Sequence, residues 1–330
     1  MTIKIGIVGT GNMGRIHARV LNSQRSLVAV ADTDIERARS IADRYGVKAF
    51  DNVESMLQEV DLDGVVISTP TPTHASIATT VAGYDVKGIL IEKPLASTLE
   101  DGIKLAKTLR EKNIGVIVSH SEIYNPVVDR ALNLIREGAV GTIRTVIHDR
   151  RGFVQPSRLK SLGDIFEDIG VHDFDIMARI SSGPARLYAQ CISTDGILNS
   201  GVVVVRFKSG AMHIFHLSRQ YVGRRRSMDV SGTRGTLVID LFGQIIKVQD
   251  LDKAPSADGR TINLPERGAT IKAYGEPVGE VISDFINMIE TGNPPRVGIE
   301  DGLAALKIVE AARESARTGR TLDIEVQQRD

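Results

Sequence analysis

The sequence predicts an α/β protein: a doubly wound parallel sheet first, then an α+β domain built on a mainly antiparallel, open sheet. Three observations lead there. Residues 1–120 alternate short Val/Ile runs with helix-sized segments. The pattern changes after about residue 124, and from 184 to 249 apolar runs follow one another across turn residues with no helix between them. The domains are therefore placed at 1–123 and 124–330.

In order, IKIGIV (3–8), LVAVA (27–31), GVVIS (64–68), GILIE (88–92) and GVIVS (115–119) read as buried parallel strands, since each is an unbroken run rather than an alternation. MGRIHARVLN, DIERARSIADRYG and TLEDGIKLAKTLREKN are the helices between them, each ending near Gly or Asn. In the second domain NPVVDRALNLIREGAVG is a helix with its stop signal, 142–150 a strand, and DIGVHDFDI (168–176) another helix. SGP, TDGILNSG, KSGA, SGTRG and FGQ then punctuate a run of strands. The polar stretch 251–273 is expected to be an exposed loop, and helices near 277–290 and 300–317 close the chain.

The 330 residues are 42% apolar and 25% charged, with 41 basic and 41 acidic side chains. A zero net charge argues against nucleic acid or an anionic membrane as partner. Arg224, Arg225 and Arg226 form the one notable basic run and read as a solvated strand end. Cys191 is the single cysteine, which fits a reducing compartment. MTIKIGIVGTG has no signal-peptide pattern, and no apolar run approaches the roughly 20 residues of a membrane span, so a cytoplasmic protein is expected.

GIVGTGNMG sets Gly9, Gly11 and Gly14 between the first strand and its helix, the arrangement a pyrophosphate needs. Asn12 and Met13, enclosed by that loop, are assigned to the same site. Asp32 ends the next strand, eighteen residues beyond Gly14, where a carboxylate accepts from a ribose 2′-hydroxyl and repels a 2′-phosphate. NAD is favoured over NADP, with Arg37 close by as a moderating charge. STPTPTH (68–74) leaves its strand on the ligand-binding rim, which assigns Thr69, Pro70 and His74 to the cofactor border and Thr73 to capping the next helix. IEKPL (91–95) ends another strand on that rim. Lys93, held by a following proline, is well placed to reach a ligand, and the Lys93–Pro94 bond is a candidate cis peptide.

These motifs together resemble the glucose–fructose oxidoreductase / inositol dehydrogenase (Gfo/Idh/MocA) family: a dinucleotide fingerprint, then TP, then EKP. YNP (124–126), SGTRGTL (231–237) and the closing segment 276–320 are similar to that family's second domain, so the likeness spans nearly the whole chain. The family's D-x-G-x-H-x-x-D element matches DIGVHDFD, and on an α-helix Asp168, His172 and Asp175 share a narrow stripe among Ile169, Val171, Phe174, Ile176 and Met177. Arg179 lies on that stripe one turn beyond Asp175, which reads as a structural ion pair; Asp173 points elsewhere with no assigned job. Placing Asp168 and His172 in so apolar a stretch is costly without function.

The resemblance implies catalysis by Lys93, Asp168 and His172. His172 is the expected base for the alcohol proton, Asp168 orients it or binds a neighbouring hydroxyl, and Lys93 donates to the reacting oxygen. Glu92 and Asn125 are expected at the nicotinamide end. SHSEIYNP, RRGFVQPSR and DIGVHDFDI further resemble UDP-N-acetylglucosamine 3-dehydrogenase-like nucleotide-sugar members, although Ile123-Tyr124 stands where those more often carry Arg-Phe. Tyr124, Arg151 and Arg158, with Asp168 and His172, are the expected substrate contacts, since guanidinium groups suit a diphosphate. The alternatives are a myo-inositol or free-sugar dehydrogenase and a non-catalytic dinucleotide-binding regulator; retention of both Lys93 and His172 speaks against the latter. A homodimer or homotetramer joined through the outer face of the antiparallel sheet is implied by resemblance, and no metal is expected.

Overall fold

A computed structural model describes residues 3–159, 162–250 and 268–329, and divides the chain into two compact units. The first unit is Met1–Ser121 together with Glu276–Lys307; the second is Glu122–Gly275 together with Ile308–Asp330. The first crossing lies close to the expected boundary at 123. The segment 276–307, expected in the second domain, belongs to the first unit instead.

The first unit carries a six-stranded sheet ordered β3-β2-β1-β4-β5-β6, with every pairing parallel. Its strands are β1 (Ile5–Val8), β2 (Leu27–Ala31), β3 (Lys48–Phe50), β4 (Gly64–Ile67), β5 (Gly88–Glu92) and β6 (Gly115–Ser119). β1, β4 and β5 are buried throughout, as their unbroken Val/Ile runs require in a sheet covered on both faces. The helices between are α1 (Asn12–Ser23), α2 (Ile35–Tyr45), α3 (Val53–Glu59), α4 (His74–Val81) and α5 (Leu99–Glu111). Thr98 caps α5 by accepting from the Asp101 amide, and Asn52 caps α3 by accepting from Ser55. β3, only three residues long, was not anticipated.

α9 (Pro277–Thr291) and the start of α10 (Ile299–Thr318) complete this unit. Gly64, Gly88 and Gly115 open their strands, and a Cβ on any of them would come within 3.0 Å of Ile289 or Met288 on α9. The glycines form a notch that the Phe285, Met288 and Ile289 side chains fill.

The second unit carries nine described strands ordered β14-β13-β12-β11-β7-β10-β9-β8-β15. They are β7 (Ile143–Phe153), β8 (Gly183–Thr194), β9 (Ile197–Phe207), β10 (Met212–Ser218), β11 (Gln220–Gly232), β12 (Gly235–Asp240), β13 (Ile245–Asp250), β14 (Gly268–Lys272) and β15 (Leu322–Val326). All pairs are antiparallel except β7 with β10. The expected loop 251–273 therefore ends in a strand at 268–272, while 251–267 lie outside the described residues. α6 (Pro126–Arg136), α7 (Pro156–Leu159) and α8 (Val171–Ile180) complete the unit. α8 lies on the inner face of the sheet, where Phe174 meets Phe215 edge-on at 5.0 Å between ring centroids. No described helix is long and apolar enough to cross a membrane.

Candidate active site

In the first unit the sheet order reverses between β1 and β4, and the loops leaving their carboxyl ends enclose a cavity of about 590 Å³. Gly9, Gly11, Asp32, Thr69 and Pro70 line it, joined by Thr33, Arg37, Asn52, Ser68 and Thr73, which brings five of the expected cofactor residues together. Gly9 has a φ of 90° and a Cβ there would strike the Ser68–Thr69 backbone at 2.8 Å. Gly14 is tighter: its Cβ would lie 2.0 Å from the Gly9 carbonyl oxygen, which forces this residue to be glycine. Gly11 has open space beside it, as backbone approached by a ligand must. Asn12 and Met13 form the first turn of α1, whose N-cap, Gly11, offers no side-chain acceptor to the leading amides. Those amides, with the positive end of the helix dipole, suit a pyrophosphate.

Asp32 accepts from the Thr10 amide at 2.7 Å, the Thr10 hydroxyl at 2.8 Å and the Asp34 amide at 2.9 Å. Burial works against the ionised form, but these hydrogen bonds outweigh it and hold the carboxyl below its ordinary range. A fixed anion thus borders the cavity beside Gly11. Arg37 is engaged with Asp34 at 3.0 Å on the exposed rim. The chain fits a dinucleotide by shape, by amide donors and by charge.

Glu92 and His74 are both committed within the protein. Glu92 is buried and receives His17 Nε2 at 2.8 Å, so its carboxylate is committed inside the protein. Burial opposes its charge, yet His17 and Lys93 keep it below the ordinary range. His74 is buried with Nδ1 2.8 Å from the Pro94 carbonyl and Nε2 2.8 Å from the Thr69 carbonyl, so it bridges two loops rather than lining the cavity. Thr73 does not cap α4; its hydroxyl bonds Thr69 Oγ1 and the Pro70 carbonyl, both at 2.8 Å. The Lys93–Pro94 peptide is cis.

In the second unit the DIGVHDFDI segment is not one α-helix. Phe166–Gly170 form a π-helical turn that runs into α8, a winding that recurs at functional sites. Within the segment Asp173 and Asp175 are buried, whereas Asp168 and His172, four residues apart, stay half-buried. Asp168 is gripped from the side by Arg219, whose Nη1 donates to Oδ2 at 3.2 Å. Arg219 is itself only 1% exposed and spends Nη2 on the Gly163 and Leu198 carbonyls and on Asn199 Oδ1 at 2.7 Å. Arg313 of α10 ion-pairs with Asp164 and Glu167 at the start of the turn.

Asp173, expected to be idle, is half of a buried cluster. Arg150 of β7 donates Nε to its Oδ2 at 2.8 Å and Nη2 to its Oδ1 at 3.0 Å, and Nη1 to Glu122 at 2.9 Å. Burial opposes ionisation of Glu122, but Arg150 and Arg226 lower its pKa, and the two carboxylates raise that of Arg150. Asp175 and Arg179 form the anticipated pair, Nε to Oδ1 3.7 Å, both buried.

One assignment, Arg151, needs correction. β7 alternates, with Arg150 buried toward α8, so Arg151 falls on the opposite face of the sheet. There it donates to Asp149 at 2.6 and 2.8 Å and lies over Tyr221 at 4.4 Å, away from the face that carries His172. Asn125, expected near the nicotinamide, is the buried N-cap of α6: it accepts from Val127 at 3.2 Å and donates to the Leu241 carbonyl at 3.1 Å. Tyr124 is buried and Arg158 exposed on α7.

Sequence reasoning passed over His17, Glu122 and Arg219, and grouped Arg150 with Arg151 and Arg158 as a guanidinium for substrate. The available signal was a polar residue set on an apolar helix face or strand. His17 shares the buried face of α1 with Gly14, Ala18 and Leu21. Among the described residues no group of three His, Cys, Asp or Glu side chains is placed to hold a metal ion.

Comparison with known proteins settles the family. Residues 3–120 match the oxidoreductase family with an NAD-binding Rossmann fold, and residues 128–238 match the Gfo/Idh/MocA C-terminal domain. The inositol 2-dehydrogenase of Rhizobium meliloti (strain 1021) is 30% identical over 340 residues, covering 98% of this chain and 100% of that protein. The chain belongs to the Gfo/Idh/MocA oxidoreductase family. Another relative, the UDP-N-acetylglucosamine 3-dehydrogenase of Acidithiobacillus ferrooxidans, is 26% identical over 328 residues, 94% of this chain and 95% of that one. The solved structure of that A. ferrooxidans enzyme superposes with a TM-score of 0.82 at 22% identity, over 96% of this chain and 98% of the other, and shows the same fold. As a family member with a Rossmann domain, the chain is an NAD-binding oxidoreductase, and the cavity between β1 and β4 is where the dinucleotide fits.

Proposed function

We propose that this Gfo/Idh/MocA oxidoreductase oxidises a secondary alcohol of a sugar or polyol, with NAD preferred over NADP. The observation that carries the reading is the pair Asp168 and His172, half-buried ionisable groups of a mostly buried stretch, with Asp168 in the π-turn and held there by Arg219. NAD, when bound, supplies the hydride acceptor. His172 takes the proton of the reacting hydroxyl, Asp168 orients the imidazole or holds an adjacent hydroxyl, and Lys93 donates a hydrogen bond to the oxygen as negative charge develops. Asp32 supports the NAD preference, because a fixed carboxylate repels a 2′-phosphate.

For substrate, a free polyol or cyclitol is favoured. Arg151 is committed to Asp149 on the far face of the sheet, which removes the guanidinium best suited to a diphosphate. The similarity to an inositol 2-dehydrogenase points the same way. A nucleotide-activated sugar is the second reading, supported by exposed Arg158 and by the likeness to UDP-N-acetylglucosamine 3-dehydrogenase. A homo-oligomer formed through the outer sheet face is part of the proposal; Ile147, Tyr188, Ile192 and Val202 expose apolar surface there.

The test is NADH formation across inositols, free hexoses and UDP-sugars, with Lys93→Ala and His172→Ala alongside wild type. Each variant should lose about a hundredfold or more in kcat while still binding NAD. Wild-type turnover in either variant refutes its assigned role.

A further inference from the structure

Two buried histidines outside the dinucleotide cavity meet the chain on either side of Lys93. His17 sits on α1, one turn past the glycine loop, with no exposed surface, and its Nε2 lies 2.8 Å from Glu92 Oε1. The other oxygen, Oε2, accepts from the Lys93 amide at 3.3 Å. His74 opens α4; its Nδ1 reaches the Pro94 carbonyl at 2.8 Å and its Nε2 the Thr69 carbonyl at 2.8 Å. One side chain therefore grips the amide entering Lys93, and another the carbonyl of the residue after it. Both partners are carbonyls, which only accept, so each contact calls for an imidazole N–H and a neutral ring can donate to one of them at a time.

Such burial has a cost. Imidazoles removed from water need partners, and a carboxylate as enclosed as Glu92 needs a charge-assisted one. A plain packing role would be met by an aliphatic residue on α1, whose buried face is otherwise Ala18, Val20 and Leu21 with Gly14. Lysine has a flexible four-carbon stem, so its ammonium is placed only as well as its backbone is. The two histidines also reach into the cofactor loops: α1 begins at the glycine turn, and Thr69 lines the cavity.

We propose that His17 and His74 are positioning residues for Lys93, His17 acting through Glu92 on the Lys93 amide and His74 directly on the Pro94 carbonyl. The inference rests on the reading of Lys93 as the group that donates to the reacting oxygen. Neither histidine touches substrate. Each fixes one side of the backbone from which the lysine reaches out.

The test uses the full-length protein saturated with NAD. Lysines are reductively methylated with ¹³C-formaldehyde and the Lys93 resonance is identified by its absence in Lys93→Ala; kcat, KM and NAD affinity are measured on unlabelled protein. His74→Ala and His17→Leu should shift the Lys93 resonance and lower kcat by about ten- to a hundredfold, with NAD affinity held within about twofold. His74→Asn, whose amide replaces Nδ1, should recover kcat, while His74→Gln, whose amide replaces Nε2, should not. His17→Gln should recover it likewise. Should His17→Leu fail to fold with Glu92 left unpaired, His17→Asn serves in its place, polar but too short to reach. An unmoved Lys93 resonance, equal rescue by His74→Gln, or NAD affinity falling in step with kcat overturns the proposal. If Lys93→Ala itself retains turnover, the catalytic reading of Lys93 fails, while the resonance still decides whether the histidines position it.

Discussion

Replacing Arg150 by methionine should unsettle the helix that carries His172, by an amount the structure allows to be worked out. Arg150 makes three charge-assisted hydrogen bonds, two to Asp173 and one to Glu122, and all three side chains are below a tenth exposed. Removing one member of a buried ion pair costs about 3–5 kcal/mol, because the remaining charge has no water to turn to. In a domain the size of the second unit each kcal/mol is worth about 2–4 °C, so the melting temperature should fall by about 6–20 °C. The pH dependence of the Glu122 contribution should also reverse. In the wild type the pKa of Glu122 is lowered, so its contribution is present above the ordinary glutamate pKa and fades as pH falls through the folded value. In Arg150→Met burial of Glu122 is opposed by Arg226 at 3.2 Å and by the Asn125 amide alone, so Glu122 should titrate above its unfolded value, and Asp173, which burial already raises in the wild type, should rise further. Stability then declines as pH rises through those raised values, and the gap to wild type narrows on acidification from about pH 8 to about pH 5.5. Thermal and urea unfolding followed by circular dichroism across that range measure it. A loss below about 3 °C, or a gap that widens toward acid, would refute the reasoning.

Gly14→Ala should weaken NAD binding by at least about tenfold, since the added methyl collides with the Gly9 carbonyl and must displace the loop; titration of tryptophan-free protein by NADH fluorescence reads this. Asp32→Ala should weaken NAD and raise relative use of NADP in steady-state assays, and an unchanged preference would count against its ribose role. His148 is buried, 3.1 Å from His213 and stacked on Phe215 at 4.3 Å, and burial together with Arg150 pushes its pKa down to about 3. Its stability contribution is present above the unfolded value of about 6.5 and is lost as pH falls toward 3, at about 1.4 kcal/mol per unit. His148→Phe should therefore flatten the acid limb of the urea-unfolding profile by about one proton; an unaltered limb would show that the imidazole is not held neutral.

What the sequence disclosed followed from local pattern. Unbroken Val/Ile runs gave five of the six parallel strands, and the glycine spacing gave the turn that Gly9 and Gly14 enforce by contact. β3 escaped because Lys48–Phe50 is too short to show a period, and β14 and β15 because their identity comes from the neighbours they pair with. The π-turn escaped because ordinary helical winding was assumed, yet four residues remain close to one turn, so Asp168 and His172 were still grouped. Asp173 and Arg151 were misjudged for one reason. Which face of a strand or helix a side chain takes depends on a partner far along the chain: Arg150 for Asp173, twenty-three residues away, and α8 for the orientation of β7. His17 and Glu92, seventy-five residues apart, are invisible to any local window.

The glycine notch at the head of β4, β5 and β6 has a bearing on biosynthesis. Its filling, Phe285, Met288 and Ile289, leaves the ribosome only after the entire antiparallel sheet up to Gly275 has been translated. At roughly 5–20 residues per second, the parallel sheet waits roughly ten to thirty seconds with that end bare. A fragment stopped at Ser121 would keep the wound permanently open, so a soluble excised nucleotide module needs residues 276–307 grafted back onto it.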